Sequence, residues 1–212
     1  MNYQIYKQKR DAAWGVLLDH GVTEPQVRID AICKQDGITI RSYRQAAEII
    51  EQMGFAPSIQ GNDGFAVRIA NKDYIFYDDT CSIGRQRFTV AHEYRHFVNG
   101  DVSSVPTCRN REPSEYDDDI ETNANIIAAR ILAPARVLWA LNIHSAERIR
   151  DLCDISITAA QFRLERMNLL YKREQEFLQT RGYSCFLLSK REHQVYTQFQ
   201  PFINQIKGRG QI

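Results

Sequence analysis

His92, Glu93 and His96 are the residues of this chain whose types and spacing best suit chemistry. Each helical residue turns about 100°, so residues four apart lie roughly 40° from each other around the axis. Both imidazoles can therefore reach one cation from a single helix face. The glutamate that follows the first histidine falls beside that cation, where it can take a proton from a metal-activated water. The H-E-x-x-H pattern thus points to zinc-assisted hydrolysis. The plainer reading is a histidine pair on the surface or in the core, because motifs this short also arise by chance.

Elements must position these groups. Residues 87–98 read as a helix, with apolar or small residues at 88, 91, 94, 97 and 98 on one face and Asn99-Gly100 as its stop. Two histidines do not complete a catalytic zinc site, which takes three protein ligands and leaves a position open. The third ligand should come from a second helix packed beside the first. Residues 121–134 fit that role: Ala124, Ile127, Ala128, Ile131 and Leu132 recur at helical spacing, Pro134 ends the run, and the alanines permit close approach. Glu121 and Asn125 share a face, so Glu121 can be the third ligand and Asn125 can hold His92 or Glu121 by a hydrogen bond. Glu121 is also explicable as a solvated carboxylate in a first helical turn, and Glu115, Asp117, Asp118 and Asp119 offer rival carboxylates, Asp118 and Asp119 foremost. Cys108 is a further, softer candidate.

These segments carry a resemblance. Arg-x-Arg-Phe-Thr-x-Ala-His-Glu-x-x-His from Arg85 to His96, then Glu-x-x-Ala-Asn-x-x-Ala-Ala-x-x-Leu-x-Pro from Glu121 to Pro134, resembles the ImmA/IrrE family of metallopeptidases. Residues 149–164 are similar to the family's helix-turn-helix-like segment, and the resemblance spans most of residues 27–170. It implies a gluzincin-like site: one Zn2+ per chain held by His92, His96 and Glu121, with Glu93 as catalytic base. It implies, further, a site-specific endopeptidase that cleaves a cognate helix-turn-helix repressor and so relieves repression of a mobile element or prophage. One departure stands out. Family members often have Gly just before the second histidine, where this chain has Arg95. That position should point away from the metal, so altered packing or a substrate contact is expected rather than loss of zinc.

Composition sets the bounds. A chain of 212 residues can bury a core as one large domain or two small ones. With 43% hydrophobic and 25% charged residues it reads as globular. A net charge of +1 argues against a strong overall pull toward nucleic acid or membrane. The charge is uneven: residues 112–121 are acidic, while Arg148, Arg150, Arg163, Arg166, Lys172 and Arg173 follow. No apolar run reaches 18 residues, and the N-terminus lacks the apolar stretch of a secretory signal. The cysteines are five, an odd number without C-x-x-C pairing, and read as reduced thiols. A cytoplasmic protein without a membrane partner is expected.

The expected fold class is α+β, mainly helical: a zincin-like metallopeptidase core with a small β-sheet, followed by a helix-turn-helix-like helical region. The expected division is 1–140 for the peptidase domain, 141–178 for the helix-turn-helix-like region, and 179–212 for a C-terminal strand and helix. Residues 3–20 and about 42–53 read as helices, with a short helix around 29–33. Strands at 66–69 and 74–77 flank a turn at 71–73, after a loop at 61–64. A strand edge beside the metal helix could receive an extended substrate by main-chain hydrogen bonds, or the hairpin could simply cover the core. Residues 100–112 read as a loop at the rim of a cleft. Further helices are expected at 135–142, 145–153 and 157–170, an exposed helix or linker at 171–180, a strand-like segment at 183–188, and a helix at 192–206 that Pro201 could kink. Ser156 or Thr158 could cap the helix that follows them.

Two alternatives remain open from the residues. Arg163 and Arg166 could meet DNA or a partner, the rival being a solvated helix face. The protein could also be a non-proteolytic zinc-containing regulator that sequesters a repressor or binds DNA through residues 145–170. For the oxyanion of a hydrolytic intermediate, Tyr183, Tyr196, His144 and Arg95 are all conceivable donors.

Overall fold

The computed structural model describes residues 3–103, 115–184 and 189–209. It is mainly helical with one small sheet, the expected α+β class. The order of elements is α1 (Tyr3–Asp19), α2 (Ile29–Gln35), β1 (Thr39–Ser42), α3 (Ala47–Gln52), α4 (Ala56–Ile59), β2 (Gly64–Ile69), β3 (Lys72–Tyr77), α5 (Ile83–Asn99), α6 (Glu115–Leu132), α7 (Ala135–Ala140), α8 (Ala146–Cys153), α9 (Ile157–Arg181) and α10 (Lys190–Gly208). None of the described helices is long and apolar enough to cross a membrane.

The chain resolves into two compact units, Arg28–Ala128 and Met1–Val27 with Ala129–Ile212. This cuts the sequence differently from the expected segments at 1–140, 141–178 and 179–212. The reason is that α1 packs on α10, near the other end of the chain. Gln198 Nε2 donates to the carbonyls of Leu17 and Val22 at 2.7 Å each, closing the end of α1.

In the unit Arg28–Ala128 the sheet order is β1-β3-β2. β2 and β3 form an antiparallel hairpin with Phe65 opposite Phe76 and Val67 opposite Tyr74. The turn falls at Ala70-Asn71, one residue earlier than expected, and both residues take left-handed backbone, with φ of 47° and 61°. β1 pairs parallel to β3, Ile40 opposite Ile75. This strand was not anticipated, because four residues are too few to show alternation. The expected helix at 42–53 shortens to α3 for a local reason: Ser42 and Gln45 bond each other's backbone N–H through their side chains, at 3.1 and 3.2 Å, and make a turn there.

Side chains alternate along a strand, so the hairpin presents two different faces. Phe65, Val67 and Phe76 face a cluster with Ala46, Ile50 and Phe55. Rings there meet in offset or edge geometry, Phe65 with Phe76 at 5.1 Å and with Phe55 at 5.9 Å. The other pleat carries Gly64 and Ala66, and α5 packs against the hairpin. α2 packs on α5 as well, and the buried Tyr94 donates its hydroxyl to Asp36 at 2.7 Å. Covered on two sides, α5 is buried almost all round from Thr89 to Tyr94 rather than along one stripe, while Val98 near its end is exposed.

In the other unit, Ala13, Leu17, Val137, Leu138, Met167, Val195, Phe199 and Ile203 are fully buried. α8 and α9 form the expected helix-turn-helix-like pair around Asp154, whose φ is 52°. Ser145 and Ser156 cap them by accepting from the N–H of Arg148 and Ala159. α9 runs on through 171–180 to Arg181, since nothing before Gly182 breaks it. Arg166 is exposed and Arg163 half-buried on this helix. Residues 185–188 of the expected strand, and Cys108 with most of the expected rim loop, lie outside the described residues.

Candidate metal centre

α5 contributes His92, Glu93 and His96, and α6 contributes Glu121 and Asn125. Ala124 and Ala128 of α6 are buried to 1% and 0% exposure. Among the described residues, one group of donors is placed to hold a metal ion, His92, His96 and Glu121. The two histidines face each other through Nε2, and each also faces a different oxygen of the Glu121 carboxylate. His92 Nε2 lies 3.2 Å from His96 Nε2 and 3.1 Å from Glu121 Oε2, and His96 Nε2 lies 3.4 Å from Glu121 Oε1. Donors about 2.0–2.1 Å from a tetrahedrally coordinated zinc stand roughly 3.3–3.4 Å apart, and these pairwise separations are close to that. Two imidazole nitrogens and a carboxylate are also borderline donors of the kind zinc takes. The side chains of Asp118 and Asp119, the rival ligands, lie outside the described residues.

Asn125 takes one of the two partners open to it. Its Oδ1 lies 3.0 Å from His92 Nδ1. An N–H on Nδ1 donating to that oxygen leaves the Nε2 lone pair facing Glu121 and His96, which is the tautomer a metal ligand needs.

Glu93, which follows His92 on α5, is buried. Burial pushes its carboxyl up to about 7, and Glu121 adds to the rise, while His92, His96 and the backbone N–H of Ala66 oppose it. Among the described residues its Oε2 has no hydrogen-bond partner. Burial also works against charge on His96 and on Glu121, but each outweighs that for the other. Glu121, Glu93 and Asp101 raise His96 above its ordinary value, and hydrogen bonds from His92 and His96 hold Glu121 well below the usual carboxylate range.

A cleft of about 170 Å³ opens over these groups, lined by Gly61, Asp63, Gly64, Arg85, Phe88, His92, Glu93, Glu121 and Asn125 among others. Gly64 is there because nothing larger fits: a Cβ would stand 2.4 Å from Thr89 Cγ2 and 2.7 Å from the Phe76 carbonyl oxygen. β2 is an edge strand. Of its outward N–H groups, Ala66's is directed at Glu93 and Arg68's donates to the Ser103 carbonyl at 2.8 Å.

A family model of the IrrE N-terminal-like domain, a peptidase family, matches residues 33–165. The chain belongs to the ImmA/IrrE family of metallopeptidases. No curated protein sequence matches it. The IrrE-like match takes in both donor helices, α8 and the start of α9 up to residue 165. A metal ion is what a metallopeptidase family calls for, and the converging donors fit one.

Sequence reasoning missed two cleft residues and one neighbour. Arg85, two turns before His92, pairs with Asp63 at the cleft mouth; the seven-residue spacing was the available signal. Asp101 lies 3.6 Å from His96 Nδ1 and had no signal in spacing alone. Of the conceivable oxyanion donors, Arg95 donates to Asn99 on its own helix at 2.8 Å. His144 stacks on Tyr171 with ring centres 4.3 Å apart, and Tyr196 lies under the Arg136 guanidinium.

Proposed function

We propose that this chain is a zinc-dependent, site-specific endopeptidase acting on a cognate helix-turn-helix repressor. One observation carries the reading. Two imidazole nitrogens and a carboxylate converge at zinc-like separations, and a buried Glu93, one of whose oxygens has no hydrogen-bond partner among the described residues, lines the same cleft. His92, His96 and Glu121 would hold the ion, and Asn125 fixes the His92 ring. When bound, zinc supplies Lewis acidity and brings the acidity of water toward neutrality. Glu93 accepts the proton of the attacking water and passes it to the leaving amine. Its raised pKa in the bare chain reflects a burial that the cation's charge would offset. The outward N–H of Arg68 is taken up by Ser103, so main-chain pairing by an extended substrate would begin nearer the Gly64 end of β2, which lines the cleft.

The repressor as substrate, the release of a mobile element from repression and a cytoplasmic setting rest on the family resemblance. The test combines metal analysis with cleavage. Purified without chelators, the protein should carry about one zinc per chain, lost in Glu121→Ala. Incubated with a candidate helix-turn-helix repressor, wild type should cut at one bond and Glu93→Gln should bind zinc without cutting. Equal relief of repression by Glu93→Gln would replace this reading with sequestration.

A further inference from the structure

We infer that Asp101 is a positioning residue for His96, its carboxylate serving as the orienting partner that Asn125 provides for His92. The inference rests on the reading that His92, His96 and Glu121 hold the metal.

His96 is 1% exposed, and its Nε2 faces His92 and Glu121. For that nitrogen to offer a lone pair, the ring proton must sit on Nδ1. A buried N–H without an acceptor is costly, and within the described residues Nδ1 has no hydrogen bond. The carboxylate beside it is that of Asp101, with Oδ2 at 3.6 Å. That is longer than an ordinary N–H···O bond by about 0.6 Å.

The end of α5 places Asp101 there by its own geometry. Gly100 takes left-handed backbone at φ 78°, which turns the chain back. The Asp101 N–H then donates to the His96 carbonyl at 2.9 Å. One residue thus grips His96 at its backbone and approaches it at its ring. Val102 is buried and Ser103 bonds β2 at Arg68, so the segment after the turn is anchored too.

The carboxylate is itself aimed. Asn99 Nδ2 donates to Asp101 Oδ2 at 2.8 Å, and Arg95 Nη2 donates to Asn99 Oδ1 at 2.8 Å. With both contacts made, the orientation of the Asn99 amide is determined. Arg95 is thereby the outer end of a chain running through Asn99 and Asp101 to His96. This gives Arg95 a role: it steadies a ligand through Asn99 and Asp101. The two histidines have unlike neighbours at Nδ1, a hydrogen-bonded neutral amide for His92 and a nearby carboxylate for His96.

The experiment measures zinc dissociation constants by chelator competition on metal-stripped protein, with the His96 tautomer read by ¹⁵N NMR. Asp101→Leu should weaken zinc about 10–100-fold and shift His96 away from the Nδ1–H form. Asp101→Asn keeps an acceptor without the charge and should fall between Leu and wild type. Asn99→Ala, which leaves the turn intact, should lower affinity in the same direction by less. Helical circular dichroism of the metal-free proteins controls for folding; if Asp101→Leu fails it, Asp101→Asn and Asn99→Ala decide. Affinities within twofold of wild type with an unchanged tautomer would overturn the inference while leaving the metal site standing. A wild type that binds no zinc would instead remove the site reading on which it rests.

Discussion

Asn125 Oδ1 stands 3.0 Å from His92 Nδ1, one helical turn beyond the Glu121 carboxylate that faces the other nitrogen of the same ring. A single face of α6 therefore addresses both nitrogens of one imidazole. Replacing Asn125 by Ala removes the acceptor and frees the tautomer. Zinc affinity should drop about tenfold or more, measured by chelator competition, with the helical content of the metal-free protein unchanged.

Glu93 makes the metal-free fold sensitive to pH. Its folded pKa of about 7 lies above the value of 4.5 ordinary for a glutamate. Between those two values the folded chain holds a proton that the unfolded chain has lost, so stability falls as pH rises. Below the lower value the penalty is absent, and above the higher it is complete, at about 3 kcal/mol. Glu93→Gln cannot ionise. In urea titrations of chelator-treated protein it should be more stable than wild type at pH 8, and the gap should close by pH 4. A gap that is constant with pH would contradict the shift.

Gly64 leaves no room for a methyl group against Thr89 and the Phe76 carbonyl. The second of these is backbone and cannot swing aside. Gly64→Ala should cost about 1–3 kcal/mol, seen as a lower urea midpoint, and should disturb the cleft that Gly64 lines.

Ala70 sits at φ 47° in the β2–β3 turn and is exposed. Left-handed backbone costs an alanine about 1 kcal/mol relative to glycine. Ala70→Gly should therefore raise stability by up to that amount, checked by thermal or urea unfolding, without touching metal binding.

Much of the site was legible because helical spacing is rigid. His92, Glu93 and His96 fall together on any α-helix, and Glu121 with Asn125, four apart, share a face of the next one. What spacing could not carry was anything delivered by a turn or by pairing. Asp101 reaches His96 only because Gly100 turns the chain back, and a sequence does not announce where a turned carboxylate lands. β1 becomes a strand through its parallel partner β3 rather than through its own four residues. The burial of α5 on several sides comes from the sheet and α2 together, neither visible from the helix. The extension of α9 through 171–180 was readable in part, since Lys172, Arg173, Glu174 and Glu176 are good helix formers and the first breaker is Gly182.

The amide of Ala66 is directed at the Glu93 carboxylate rather than at another strand. In the proposed mechanism the proton acceptor would thus be referenced to two bodies at once, by its own backbone to the helix and by its head group to the sheet. A peptide that tugged on the rim of the hairpin would also tug on the base. Docking and proton transfer would then share one mechanical coordinate, and a poorly seated chain would misalign the very group needed to cut it.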